Sequence, residues 1–101
     1  MTLRVGIIGI GNIGSAHAAA IFNGKVAGMT LAAVCDTDPV RRAWAAEHLP
    51  GVVVYAADED FFAHSGVDAV IVATPHYFHP PLVIEALSRG MHALTEKPAG
   101  V

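Results

Sequence analysis

A chain of 101 residues has room for one domain. Its composition, 53% hydrophobic and only 15% charged, is rich for so small a domain and suggests strands buried on both faces. The formal net charge is −3, and the six Lys and Arg gather nowhere beyond the Arg41-Arg42 pair, which excludes a nucleic-acid or other polyanion surface.

Leu3 to Ile8 is a short apolar run ending at glycines, the mark of a buried strand. Arg4 followed by small and apolar residues through Ala20 has a loose likeness to a secretory leader, but Gly6, Gly9, Gly11 and Gly14 would break an apolar helix there. From Asn12 to about Asn23 the period turns helical, with Ile13, Ala16, Ala20 and Ile21 on steps of three and four, and Gly24 is placed to close the helix. Thr30 to Cys35 is a second strand. Asp38-Pro39 starts a second helix, the aspartate as cap and the proline in the first turn, which runs to about His48 and stops before Pro50-Gly51. Val52 to Tyr55 is a third strand, rich in valine. Asp58 is read as the cap of a short helix carrying Phe61 and Phe62 and ending near Gly66. Asp68 to Ala73 is the fourth and most apolar strand, Pro80-Pro81 open a helix that ends at Gly90, and Met91 to Thr95 is the fifth strand.

Strand-helix units joined by short links imply a parallel sheet with helices on both faces. Right-handed crossovers reduce the choices to an α/β, Rossmann-type doubly wound parallel sheet, here truncated after the fifth strand. No apolar stretch reaches the roughly 18 residues of a membrane span, so no membrane is expected. Cys35, the single cysteine, cannot form an internal disulfide, and a reducing compartment such as the cytoplasm is expected.

The first strand runs into Gly9-Ile10-Gly11-Asn12-Ile13-Gly14, a G-x-G-x-x-G loop between a strand and a helix. Gly9 permits the tight turn, Gly11 lets the backbone approach a pyrophosphate, and Gly14 lets the helix pack close to the strand. The amides of Asn12 and Ile13 would face the anion at the helix N-terminus. The loop alone is weak evidence; its context strengthens it. Asp36 ends the second strand about twenty residues further on, where a carboxylate accepts hydrogen bonds from the adenosine ribose and repels a 2′-phosphate. This favours NAD over NADP. Residues 1–101 are therefore read as a dinucleotide-binding domain. Arg41 and Arg42 could hold a 2′-phosphate, but they lie on the second helix and are read as a solvated face.

In such a sheet, ligands sit beyond the carboxyl ends of the strands where strand order reverses, here between strands one and four. The glycine loop, Asp36, Thr74-Pro75-His76 with His79, and Glu96-Lys97 all fall on that edge. From position alone, Lys97 either places a substrate hydroxyl beside the nicotinamide or is a solvent-exposed lysine; a partly desolvated lysine can also exchange protons. His76 and His79 have H-x-x-H spacing, but with no cysteine nearby and two prolines following, no metal is expected. His17, His48 and His64 read as surface or boundary residues, His92 as packed within strand five, Trp44 as helix packing, and Cys35 as a small buried hydrophobe.

Together these motifs resemble the Gfo/Idh/MocA oxidoreductases. The matching segments are Val5 to Gly14, Val34-Cys35-Asp36, Val67 to Pro75, His79 and Glu96-Lys97-Pro98, spread over essentially the whole chain. The resemblance implies that Gly9 to Gly14 bind the cofactor pyrophosphate and that Asp36 holds the adenosine ribose. It further implies that Thr74 and Pro75 line the nicotinamide ribose, and that Lys97 sits by the reacting carbinol and assists hydride transfer. Where the family often has Asn after Thr-Pro, this chain has His76, so an amide contact does not carry over. The implied substrate is a sugar or polyol. The C-terminal substrate domain, with the general acid/base, is expected to be absent from this chain, and a homo-oligomer is expected at full length. Two other readings compete. One is a non-catalytic or regulatory dinucleotide-binding module, in which Lys97 is idle. The other, a methyltransferase, ranks last because its loop usually lacks the third glycine and the Glu-Lys-Pro segment.

Overall fold

The computed structural model describes residues 3–25, 27–73 and 79–95. Nine elements alternate: β1 (Leu3–Ile8), α1 (Asn12–Phe22), β2 (Met29–Cys35), α2 (Pro39–His48), β3 (Val53–Tyr55), α3 (Asp58–His64), β4 (Ala69–Val72), α4 (His79–Ser88) and β5 (His92–Thr95). The strands form one sheet in the order β3-β2-β1-β4-β5, and every pairing is parallel. This is the doubly wound arrangement expected, with the reversal between β1 and β4.

Side-chain alternation along the strands builds a core on each face of the sheet. Val5 and Ile7 of β1 and Ile71 of β4 pack with Ala18 and Ile21 of α1 and Ala45 of α2. Ile8, Val70 and Val72 point the other way, onto Phe61 and Phe62 of α3 and Ala86 of α4. Gly6 of β1 makes room for this second layer, since a Cβ there would stand 2.4 Å from the Phe61 ring.

Two helix starts illustrate how local chemistry sets the boundaries. Asp38 caps α2 as expected, its Oδ1 accepting the Val40 N–H at 2.9 Å, with Pro39 in the first turn. At α3 the expectation fails: Ala57 is the cap residue, without a side-chain bond, and Asp58 is the first helical residue. With Glu59 and Asp60 it places negative charge on the first turn, where the helix dipole favours it. Gly24 follows α1 at φ +75° and donates to the Ile21 carbonyl at 3.1 Å, closing the helix as read. His92 also departs from expectation. It is exposed, because in the alternation of this edge strand its neighbour Ala93 takes the inward position. Trp44 packs against the α1/α2 core and stacks on His48 with centroids 5.0 Å apart.

Candidate functional site

The carboxyl ends of β1 and β2 carry the site. β1 leaves the sheet through Gly9, whose φ of +92° is open to glycine but strained for other residues. The Gly9 N–H still bonds the Cys35 carbonyl at 2.8 Å, so the turn begins on the last rung shared with β2. The next turn brings Gly14 of α1 against Gly9. A Cβ on Gly14 would lie 1.8 Å from the Gly9 carbonyl oxygen, so glycine is required for helix and strand to approach this closely. Gly11 differs. Its φ of −72° suits any residue, and a Cβ there would meet only the mobile end of Arg41, at 3.4 Å. Nothing in the fold apart from that side chain fills the space above Gly11.

Gly11 is the cap residue of α1, and the helical hydrogen bonds begin with Ser15 N–H to the Gly11 carbonyl at 2.8 Å. The first amides of a helix have no acceptor within it. Those of Asn12 and Ile13, which open α1, therefore stand at the positive end of the helix dipole beside the open space at Gly11. A pyrophosphate fits this cradle in both shape and charge.

Asp36 follows β2 and is 7% exposed. Its Oδ2 accepts the Ile10 N–H at 2.9 Å and its Oδ1 accepts the Asp38 N–H at 2.9 Å. The carboxylate thus ties the glycine loop to the start of α2, while each oxygen keeps a second lone pair for a ribose hydroxyl.

The two arginines are not the solvated face expected. Arg42 Nη1 donates to the carbonyls of Asp36 at 3.0 Å and Thr37 at 2.9 Å, holding the β2–α2 link. Arg41 Nη1 lies 3.7 Å from Asp36 Oδ2 and its Nε 3.8 Å from Asp38 Oδ2, with the side chain half exposed. The first turn of α2 points this side chain back over the loop, where free carbonyls and two carboxylates outcompete bulk water for it. The signal available in the sequence was the spacing of Asp36, Asp38 and Arg41: a helix starting at Pro39 returns residue 41 to the strand end it has just left.

Under Asp36, Cys35 is fully buried, as expected. Burial, the nearby Asp58 charge and the hydrogen bond from its Sγ to Asp58 Oδ1 at 3.5 Å push the thiol up to about 12. It is a packing residue and not a nucleophile. The remaining candidates are placed less fully. His79 is the first residue of α4. Thr74, Pro75, His76, Glu96, Lys97 and Pro98 lie outside the described residues. The structure therefore brings together the glycine loop, Asp36 and Arg41, and places the ends of β4 and β5 on the same edge. Among the described residues, no three His, Cys, Asp or Glu gather to hold a metal, and no helix is long and apolar enough to cross a membrane.

The Gfo/Idh/MocA family model, described as an oxidoreductase family with an NAD-binding Rossmann fold, matches residues 3–101. The chain belongs to this family. It is 40% identical over 97 residues to the inositol 2-dehydrogenase of Corynebacterium glutamicum, an overlap of 96% of this chain and 28% of that protein. The scyllo-inositol dehydrogenase of Lactobacillus casei, solved with bound NAD(H) and scyllo-inositol, is similar at a TM-score of 0.89 and 34% identity, covering 100% of this chain and 29% of that one. The WlbA dehydrogenase of Bordetella pertussis, solved with NADH and UDP-GlcNAcA, is similar at 0.87 and 32% identity, covering 97% of this chain and 30% of that one. The chain thus spans under a third of the length of these relatives.

Proposed function

We propose that this chain is the NAD-binding portion of an oxidoreductase that passes a hydride between the nicotinamide and a carbinol of a sugar or polyol, most closely an inositol. The observation that carries the cofactor assignment is the space above Gly11, which lies between the opening amides of α1 and the buried Asp36 carboxylate. In this reading Gly9, Gly11, Asn12, Ile13 and Gly14 form the pyrophosphate cradle, and Asp36 takes the adenosine ribose hydroxyls. Thr74, Pro75, His76, His79 and Glu96 line the nicotinamide half. Lys97 is the catalytic residue, holding the substrate hydroxyl and easing its proton away. NAD supplies the hydride acceptor. The general acid/base and most substrate contacts come from a further domain of the kind that completes the relatives. The relatives' inositol names and the bound scyllo-inositol of the L. casei enzyme support the polyol over the nucleotide sugar of WlbA. Cytoplasmic residence and homo-oligomeric assembly at full length belong to the same proposal.

The test of the cofactor half is titration of NAD against thermal unfolding. A ligand that binds only the folded chain adds about 2.7 kcal/mol at a hundredfold excess over its Kd. Gly11→Ala should leave the unfolding midpoint without ligand nearly unchanged and abolish the NAD-dependent rise. No rise in the parent chain would overturn the reading. For the catalytic half, Lys97→Ala in the full-length protein should remove turnover of inositols while retaining NAD binding. Turnover within about tenfold of the parent would remove Lys97 from the chemistry, since positioned proton transfer contributes about 100-fold or more.

A further inference from the structure

Arg41 occupies a place that the cofactor reading gives to something else. Its guanidinium is 3.4 Å from where a Cβ on Gly11 would stand and 3.7 Å from Asp36 Oδ2. The adenosine ribose lies between these same two residues if the loop holds the pyrophosphate and Asp36 the ribose. We infer that Arg41 sets the choice between NAD and NADP by acting on the two cofactors with opposite sign, an inference that rests on the cofactor assignment above. Toward NAD it is a competitor. The ribose must displace the guanidinium from Asp36 before its hydroxyls can take the remaining lone pairs of the carboxylate. Toward NADP it is a ligand. The displaced guanidinium stays within one side-chain length of the ribose, and its planar fork suits the 2′-phosphate. While paired with Asp36 it also offsets the negative charge that would repel that phosphate.

The neighbouring arginine sharpens the assignment. Arg42 is committed to two backbone carbonyls at 2.9 and 3.0 Å. Arg41 has only longer ion pairs at 3.7 and 3.8 Å, with the side chain 51% exposed. Such surface pairs hold a side chain loosely and contribute little to stability. Arg41 is thus free to change partners where Arg42 is not, and its removal should leave the fold intact.

The experiment measures Kd for NAD and for NADP by calorimetry on the parent chain, Arg41→Ala and Arg41→Lys. The expected result for Arg41→Ala is NADP binding weakened about tenfold or more, the scale of a lost charge-assisted pair, with NAD binding unchanged or tighter. The ratio of the two constants then shifts by at least tenfold, and Arg41→Lys falls between. Equal weakening of both cofactors overturns the inference, because Arg41 would then serve the shared pyrophosphate or adenine. A ratio unchanged within twofold also overturns it. Failure of the parent chain to bind either dinucleotide is a separate result: it removes the cofactor assignment itself, and this inference with it.

Discussion

Both edges of the sheet carry an aspartate that accepts an amide from β1 or the loop leaving it, and the two aspartates are not alike. At the amino edge, Asp68 Oδ2 takes the Arg4 N–H at 2.9 Å, while the Arg4 guanidinium donates to the Gly66 carbonyl at 3.0 Å. The Asp68 backbone completes the clasp, its N–H bonding Arg4 at 2.8 Å and its carbonyl taking the His92 N–H at 3.0 Å. Asp68 and Arg4 are exposed, and the arrangement closes on itself. At the carboxyl edge, Asp36 makes a similar staple but is buried, and it faces helix-start amides and a space above Gly11. An aspartate beside a strand end is therefore no mark of a ligand. What distinguishes the carboxyl edge is the set of groups around the carboxylate that the fold leaves without a full complement of partners.

The most forceful way to break this contrast is to disturb the close approach on which the carboxyl edge is built. Gly14→Ala would set a Cβ 1.8 Å from the Gly9 carbonyl oxygen, and backbone cannot yield as a side chain does. A loss of about 3 kcal/mol is expected in chemical denaturation, at the upper end of overpacking costs. A loss below about 1 kcal/mol would mean that α1 sits further from β1 than described.

Asp36→Ala comes next. It strips the charged acceptor from two amides, those of Ile10 and Asp38. A buried amide left without an acceptor costs about 1–3 kcal/mol, so a loss near 2 kcal/mol is expected, together with loss of the NAD-dependent rise in unfolding temperature. A variant as stable as the parent would show that the carboxylate is held for ligand alone and that the comparison with Asp68 is false.

Much of this edge is legible in the sequence because strand, turn and helix each leave a local signature. The apolar run Leu3–Ile8, the glycines after it and Asp38-Pro39 fix β1, the loop and α2 to within a residue or so. The role of Gly14 follows from spacing, since the third glycine of the loop is carried on the helix facing the strand end. Contacts between elements distant in sequence are less legible. Gly6 reads only as a break in a hydrophobic run, because Phe61, for which it makes room, lies across the sheet on α3. Arg41 and Arg42 read as a solvated pair because helical periodicity does not say which first-turn residues fold back on the preceding strand. His92 was misplaced because an edge strand has one inward parity, and a four-residue run does not declare which.

Cys35 sharpens the comparison from beneath, since it supports the Asp36 side of the sheet and has no counterpart under Asp68. Its thiol is raised from 9.0 to about 12 in the folded chain. Below pH 9 both folded and unfolded chains keep the proton and the stabilisation is complete. Between pH 9 and 12 only the unfolded chain loses it, so stability falls as pH rises, by about 1.4 kcal/mol per unit for one such group. Comparison of the parent with Cys35→Ala at pH 8 and pH 10 isolates this contribution from other titrating groups. The parent should lose about 1 kcal/mol more than the variant. Equal losses would place the thiol in contact with water.

The smallest effect belongs to Asp68→Ala, and it bears most directly on the contrast. The side chain accepts one amide in an exposed setting, so water can replace it at the Arg4 N–H. The backbone bonds between Asp68 and Arg4 and between His92 and Asp68 are untouched by the substitution. A loss under about 0.5 kcal/mol is expected, as for surface changes generally, with NAD affinity unaltered because the whole length of β1 separates this aspartate from the glycine loop. A loss matching that of Asp36→Ala would mean that burial does not govern the strength of the staple. A change in NAD affinity would mean that the two edges communicate through β1, and the carboxyl edge could then no longer be treated as a self-contained site.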